Sequence, residues 1–154
     1  MTMDATEYVL SREPFIVRRT VRWGDCDPAG VVYTGRFPEY LLGAIGFFKN
    51  HMAGGSMHDL SQKFDVDMPC KGMSFDFIGS LWPGDVIDIQ CVVGDVRTRS
   101  FDIECSAAKP DGTPVFKARF SPICIERTVR KGKPIPPELR EILVQFQTSP
   151  VENA

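Results

Sequence analysis

The stretch G-D-C-D-P-A-G at residues 24–30 holds two carboxylates, Asp25 and Asp27, two positions apart and just before a predicted helix. Backbone N–H groups at a helix N-terminus are unpaired, and the helix macrodipole adds a partial positive charge there. Such a site can stabilise an oxyanion and favour the ionised form of a nearby carboxylate. A D-x-D pair before a helix is also typical of a turn or a cap. The spacing alone therefore leaves a catalytic and a structural interpretation open.

Other catalytic and ligand-binding motifs fit the sequence less well. A calcium loop starting at Asp25 needs oxygen ligands at its fifth and twelfth positions, which are Ala29 and Arg36 here. A P-loop would need a G-K-[ST] ending that the stretch lacks. His51 and His58 flank a Gly-Gly pair, so one continuous helix would not present both, and structural or surface roles are favoured for them. A carboxylate is therefore the best candidate for a reacting group.

The apolar residues around this stretch recur with two different periods. Residues 15–23 alternate between apolar and polar side chains, which predicts a half-buried strand with Trp23 on its apolar face. Apolar side chains then recur every three or four positions, which predicts a long helix starting near Pro38. The members of this stripe are Phe37, Tyr40, Leu41, Ala44, Ile45 and Phe48. Gly43 and Gly46 each cost the helix up to ~1 kcal/mol relative to Ala, so we expect another backbone to pack closely against them.

The rest of the chain is predicted to form mainly strands. The extended or alternating segments are 66–79, 87–93, 101–107 and 116–120. L-W-P-G-D at 81–85 and K-P-D-G-T at 109–113 are typical of turns, and short helices are predicted at 56–63 and 137–147. Strands joined by tight turns pair antiparallel, and the long helix must bury its stripe against the sheet. The pattern predicts an α+β domain with one sheet and one main helix.

Length, charge and composition exclude several classes of function. The chain has 154 residues, which predicts a single domain over 1–154 with flexible tails at 1–13 and 148–154. Eighteen basic and twenty acidic residues give a net charge of −2, which argues against nucleic-acid and membrane partners. The sequence has no apolar run near the ~20 residues of a membrane span, no signal peptide and no C-x-x-C pair among its five cysteines. We therefore expect a cytoplasmic protein with reduced thiols.

Two motifs resemble those of a known family. R-W-G-D-C-D-P-A-G-V-V-Y at residues 22–33 resembles the signature of the 4-hydroxybenzoyl-CoA thioesterase family, a branch of the hotdog-fold thioesterases. L-W-P-G-D-V at 81–86 is similar to the L-x-x-G-D turn between the second and third strands of those proteins. The order of elements agrees with that fold from about Phe15 to Arg127. The resemblance implies an α+β hotdog fold, with an antiparallel sheet of about five strands wrapped around one long central helix, in a homodimer or homotetramer.

The resemblance also implies roles for individual residues. Asp27 matches the catalytic carboxylate, which attacks the thioester carbonyl or activates a water, and the backbone N–H of Thr34 matches the amide that polarises the thioester oxygen. Asp25 is expected to be a turn and support residue. The implied substrate-binding residues are Gly30, Val31, Tyr33 and Leu42. The implied contacts to the nucleotide end of coenzyme A are Arg97, Arg99 and Ser100, for which a solvated turn is the alternative, with Lys71, Arg127 and Arg130 as further basic candidates.

Two positions depart from the pattern of the family. A sister branch has His where this chain has Thr34, so a His-dependent mechanism does not apply. An acidic residue that recognises the aromatic hydroxyl in the enzyme that names the family is replaced by Leu42, which favours an unsubstituted aryl group or another apolar acyl group. We therefore predict an acyl-CoA thioesterase without a metal or redox cofactor. The alternatives are a hotdog dehydratase or hydratase, which usually needs a catalytic His, and a non-catalytic acyl-CoA-binding module.

Overall fold

The computed structural model describes residues 5–55 and 60–147, which contain six strands and three helices. The strands are β1 (Glu7–Arg12), β2 (Phe15–Thr20), β3 (Cys70–Phe77), β4 (Val86–Val96), β5 (Phe101–Ala108) and β6 (Pro114–Pro122). The helices are α1 (Phe37–Met52), α2 (Leu60–Phe64) and α3 (Pro137–Gln145), and 3₁₀ turns occur at Trp23–Asp25 and Thr34–Arg36. The tail predicted at 148–154 lies outside the described residues.

The strands form one antiparallel sheet in the order β1-β2-β4-β5-β6-β3. Val17 of β2 pairs with Val9 on one side and with Ile89 of β4 on the other. Val17 and Ile89 are fully buried, as period-two patterning predicts for one face of a sheet. The α+β hotdog fold that the sequence predicts is confirmed, with six strands instead of about five.

Strand β1 occupies a segment that we expected to be a flexible tail. Residues 7–12 pair antiparallel with β2, so the expectation for 1–13 is wrong over that range. Alternate residues of β1 are only half-buried, and Tyr8 and Leu10 are exposed. The strand therefore lacks the strong apolar alternation by which a strand is recognised, and its pairing depends on the edge that β2 offers.

Helix α1 buries the whole predicted stripe, since its six members are at most 5% exposed. The expectation that another backbone packs against its glycines is wrong. A Cβ at Gly43 would lie 2.7 Å from Oε2 of Glu7, a side-chain atom, and in the described residues a Cβ at Gly46 would meet nothing within 4 Å. Gly43 therefore leaves room for a carboxylate from β1.

The described residues fall into two compact units. The first consists of 5–47, 75–91 and 105–118, and in it the Phe37 ring packs edge-on against Phe116 at 5.7 Å. The second consists of 48–55, 60–74, 92–104 and 119–147, and in it Phe48 packs edge-on against Phe146 at 5.8 Å. The single domain over 1–154 stays a prediction.

Candidate active site

A narrow hydrogen-bonded loop connects β2 to α1, and we call residues 22–36 the site loop. The N–H of Asp27 donates to the Val31 carbonyl at 3.0 Å, and the N–H of Tyr33 donates to the Asp25 carbonyl at 3.0 Å. Gly30, at the tip, donates to the Asp27 carbonyl at 2.9 Å and has a φ of +87°, a conformation that favours glycine. The site loop thus holds Asp27 and the predicted substrate-binding residues up to Tyr33 on one tight turn.

The Asp27 carboxylate uses one of its oxygens to stabilise this turn. Oδ1 accepts the N–H of Ala29 at 2.8 Å, an Asx-turn bond. The side chain is half-buried, and within residues 5–55 and 60–147 its second oxygen, Oδ2, has no hydrogen-bond donor. The turn and the catalytic interpretations of the sequence are therefore compatible, because the carboxylate forms the turn and still presents an oxygen.

The Thr34 N–H lies at the entry to α1. The 3₁₀ turn Thr34–Arg36 runs directly into the helix, with the N–H of Arg36 bonded to the Tyr33 carbonyl and that of Phe37 to the Thr34 carbonyl. Among the described residues, no acceptor receives the N–H of Thr34. An unpaired N–H at the positive end of a helix dipole can bind an oxyanion.

The L-W-P-G-D turn at 81–85 supports the site loop. The Leu81 carbonyl accepts the N–H of Val32 at 2.8 Å, and the N–H of Gly84, at a φ of +85°, donates to Val21 at 2.9 Å. The Trp82 ring lies over the tip, since a Cβ on Gly30 would be 3.2 Å from it. The two motifs that the sequence presents separately therefore form one hydrogen-bonded structure.

Several apolar side chains are exposed near this loop. Trp23, predicted on the buried face of a strand, is 84% exposed because β2 ends at Thr20 and the chain enters a 3₁₀ turn. Tyr33 and Leu42 are also exposed, Leu42 by 47%, whereas Val31 is half-buried. These side chains are available to contact an apolar group.

Two residues near Asp27 have chemistry that the structure restricts. Partial burial, with the neighbouring carboxylates of Asp25 and Asp27, raises the pKa of the Cys26 thiol, which disfavours the nucleophilic thiolate. Asp25 is 7% exposed, and its carboxylate accepts the Tyr40 O–H at 2.8 Å. The role of Asp25 as a turn and support residue stays a prediction, with which this contact is consistent. The sequence signal for the Asp25–Tyr40 contact was Tyr40 itself, a core tyrosine whose hydroxyl needs a partner.

The three predicted coenzyme A contacts lie in the second unit and differ from one another. Arg97 donates to both oxygens of Asp102, at 2.6 and 3.0 Å, and its Nε donates to Ser100 at 3.0 Å. Ser100 is 4% exposed, and its hydroxyl oxygen accepts the bond from Arg97 instead of facing solvent. Arg99 is exposed, and its guanidinium has no hydrogen bond or ion pair among the described residues. A contact with coenzyme A stays a prediction, and Arg99 is the residue of the three whose charged group is available for it.

The remaining candidates lie elsewhere. Lys71 is exposed on β3. Arg127 forms ion pairs with Asp65 and Asp67, and Arg130 forms one with Asp67. The ring of His51 packs edge-on against Phe146 at 5.4 Å, and His58 lies outside the described residues.

The part of the chain that the structure describes contains no cluster of three or more His, Cys, Asp or Glu side chains that could hold a metal ion. In that same part, the helices are too short or too polar to cross a bilayer.

The fold is that of the hotdog-fold thioesterases, and sequence comparison agrees. The chain belongs to the thioesterase-like superfamily, whose family model matches residues 21–143. The 1,4-dihydroxy-2-naphthoyl-CoA hydrolase of Nostoc punctiforme is 27% identical over 127 residues, which cover 81% of this chain and 83% of that protein. The hydrolase of the same name from Microcystis aeruginosa is 27% identical over 130 residues, covering 84% and 93%. A crystal structure from the thioesterase superfamily of Jannaschia sp. CCS1 has the same fold, with a TM-score of 0.80, 23% identity and coverage of 96% and 100%.

Proposed function

We propose that the chain is an acyl-CoA thioesterase that hydrolyses an aryl-CoA thioester to the free acid and coenzyme A. The observation that carries the proposal is the site loop, which lies within a match to the thioesterase-like superfamily. It holds a carboxylate oxygen of Asp27 and the N–H of Thr34, and neither has a partner among the described residues. These are the two groups that acyl transfer needs, one to react and one to receive the developing negative charge.

Asp27 has two possible roles in this reaction. As a nucleophile, its Oδ2 bonds to the thioester carbon, the C–S bond breaks, and coenzyme A leaves as a thiolate that takes up a proton. Water then cleaves the mixed anhydride, releasing the acid and restoring the carboxylate. As a general base, Asp27 instead takes a proton from the water that attacks the same carbon. In both cases the Thr34 N–H stabilises the oxyanion, a contact whose loss typically costs 10²–10³ in rate.

An aromatic acyl group is supported by two observations. The two relatives described above are named as hydrolases of an aryl-CoA thioester. The start of α1 is also rich in aromatic rings, since Phe37 packs edge-on against Phe77 at 5.4 Å, and the exposed Phe77 stacks on Phe75 at 5.4 Å. Rings in such offset and edge-on arrangements favour a further aromatic group. Leu42 offers no acidic partner for a phenolic hydroxyl, so specific recognition of a 4-hydroxybenzoyl group is not part of the proposal.

A homodimer or homotetramer is proposed on different grounds. Strand β3 lies at one edge of the sheet, and seven of its eight residues are exposed. Met73, Phe77 and the adjacent Ile78 are large apolar residues on this edge, each 40% exposed or more. An exposed apolar edge strand is a template for pairing with another chain. Sedimentation or light scattering of the purified protein tests the oligomeric state, and a monomer would contradict it.

The proposed function is tested by following free thiol release from a panel of coenzyme A esters. The panel contains 1,4-dihydroxy-2-naphthoyl-, benzoyl-, 4-hydroxybenzoyl- and octanoyl-CoA, with an enoyl-CoA added to detect hydration. We expect hydrolysis with a higher kcat/KM for the aryl esters than for the octanoyl ester, and no preference for 4-hydroxybenzoyl- over benzoyl-CoA. Binding of the esters without turnover would support a non-catalytic binding module instead. Hydration of an enoyl-CoA without thiol release would support a hydratase.

A further inference from the structure

A buried polar network lies behind the site loop and is not explained by the proposed chemistry. Oδ2 of Asp25 accepts the O–H of Tyr40, one turn into α1, at 2.8 Å. Nη2 of Arg19, on β2, lies 3.8 Å from the same oxygen, and its Nη1 donates to Glu7 of β1 at 2.9 Å. The guanidinium of Arg19 also lies over the Tyr40 ring, 4.5 Å from its centroid. The network therefore joins two strands, the site loop and the helix.

Asp25 connects this network to both arms of the site loop. Its side chain also accepts the N–H of Arg22 at 3.2 Å, where the chain leaves β2. Its main-chain carbonyl accepts the N–H of Tyr33 at 3.0 Å. Asp27 lies two residues after Asp25 on one arm, and Thr34 directly follows Tyr33 on the other. We therefore expect a shift of Asp25 to move the Asp27 carboxylate and the Thr34 N–H relative to α1.

The burial of the network gives it one favourable arrangement. Asp25 is 7% exposed and Tyr40 is fully buried, so each polar group relies on the other in place of water. Burial, followed by the hydrogen bond to Asp25, raises the pKa of Tyr40, which keeps its hydroxyl a donor. Nε of Arg19 is buried without a hydrogen-bond partner among the described residues, so the Tyr40–Asp25 hydrogen bond is the part of the network whose polar groups satisfy each other. A satisfied hydrogen bond in a region of low dielectric is strong and favours one geometry.

We propose that Asp25 and Tyr40 are positioning residues, which hold the Asp27 carboxylate and the Thr34 N–H in the geometry that thioester hydrolysis requires. The inference rests on the proposed function, because it assigns these residues to the same site. Neither side chain touches the reacting atoms in this assignment. A misplacement of about 1 Å in a reacting group can cost about 100-fold in rate, so loss of the network should appear in kcat.

The test compares Tyr40→Phe and Asp25→Ala with a matched control, Asp88→Ala. Asp88 of β4 pairs with Arg18 of β2 through bonds of 2.7 and 2.9 Å, so the control also removes a carboxylate that pairs with a β2 arginine. We expect kcat to fall about 10- to 100-fold in Tyr40→Phe and Asp25→Ala with little change in KM. Asp88→Ala should retain the kcat of the parent. Thermal unfolding of each variant sets an assay temperature at which all are folded, and Tyr40→Phe keeps the ring if Asp25→Ala does not fold.

A double variant separates positioning from general loss of structure. If Asp25 acts in part through Asp27, then Asp25→Ala should cause a smaller fold loss of kcat in an Asp27→Asn background than in the parent, where the remaining loss reflects the Thr34 N–H. Multiplicative losses, an unchanged kcat in Tyr40→Phe, or an equal loss in Asp88→Ala would each overturn the inference. A fully active Asp27→Asn protein would instead refute the catalytic role of Asp27, and a parent protein that releases no thiol from any of the esters would refute the proposed function. Loss of activity in Asp27→Asn with a fully active Tyr40→Phe would overturn the positioning role alone.

Discussion

Alanine substitutions at two glycines of α1 should have opposite effects on stability. Gly43 and Gly46 lie three residues apart in the interior of the same helix, where Ala is favoured over Gly by about 1 kcal/mol. In the described residues, a Cβ at position 46 meets nothing within 4 Å. A Cβ at position 43 would lie 2.7 Å from Oε2 and 3.0 Å from Oε1 of Glu7. Only Gly46→Ala should therefore realise the helical gain.

The cost at Gly43 follows from what the Glu7 carboxylate does. To accommodate the new methyl group it must move, and we expect this movement to break its 2.9 Å bond to Arg19. A hydrogen bond to a charged group contributes about 1.5–3 kcal/mol, and we take the lower end because both side chains are partly exposed. After the helical gain is subtracted, Gly43→Ala should lower the free energy of unfolding by about 0.5–1 kcal/mol. Gly46→Ala should raise it by about 0.5–1 kcal/mol.

Urea unfolding followed by circular dichroism measures the difference between the two variants. Thermal unfolding should separate them by about 2–8 °C, given about 2–4 °C per kcal/mol for a chain of this size. A Glu7→Ala, Gly43→Ala double variant serves as the control, because the methyl group then has room, and it should be more stable than Glu7→Ala alone. Equal stabilisation by Gly43→Ala and Gly46→Ala would refute the placement of Glu7 against α1, and with it the Glu7 end of the buried network.

Two further predictions concern the second unit. The hydrogen bond from Arg97, opposed in part by burial, holds the pKa of Asp102 below its ordinary value of 3.8. The ionised carboxylate therefore stabilises the folded protein above that pH, and this contribution is lost as the pH falls through the lower folded-state pKa. The free energy of unfolding of Asp102→Asn should therefore be lower than that of the parent at pH 7, and it should fall less than that of the parent between pH 7 and pH 3. Urea unfolding at the two pH values measures both differences. Arg99→Ala should raise KM for coenzyme A esters with little change in kcat, whereas Arg97→Ala should lower the unfolding temperature; an unchanged KM in Arg99→Ala would return Arg99 to the solvated surface.

The elements with a strong internal period were predictable from the sequence. Helix α1 was predictable because its apolar stripe is set by residues within one segment. The helix begins at Phe37, next to the predicted start at Pro38. Strand β1 was not, because its residues are half-buried or exposed and its formation depends on pairing with β2. The predicted end of β2 is wrong for a related reason. Alternation continues to Trp23, but the chain leaves the sheet after Thr20.

The candidate site was predictable to the extent that it is local. Asp27 and Thr34 belong to one contiguous motif, so the sequence could place them on the same loop. The partners of Asp25 and Arg97 depend on how separate elements pack. Two arginines of the same segment, Arg97 and Arg99, are alike in sequence, but only Arg97 lies against Asp102. Contacts of this kind are set by sheet register, which local patterns do not determine.

Thiol release by Asp27→Asn tests the central claim most directly, with Asp111→Asn as its matched control. Asp111 forms the same type of turn, with Oδ1 accepting the N–H of Thr113 at 2.9 Å, as Asp27 does with Ala29 at 2.8 Å. The two substitutions therefore change similar local structure and differ in whether they remove the proposed reacting carboxylate. We predict that kcat on an aryl-CoA ester falls by about 100-fold or more in Asp27→Asn and is unchanged in Asp111→Asn. Equal rates in the two variants would contradict the assignment of Asp27 as the reacting carboxylate.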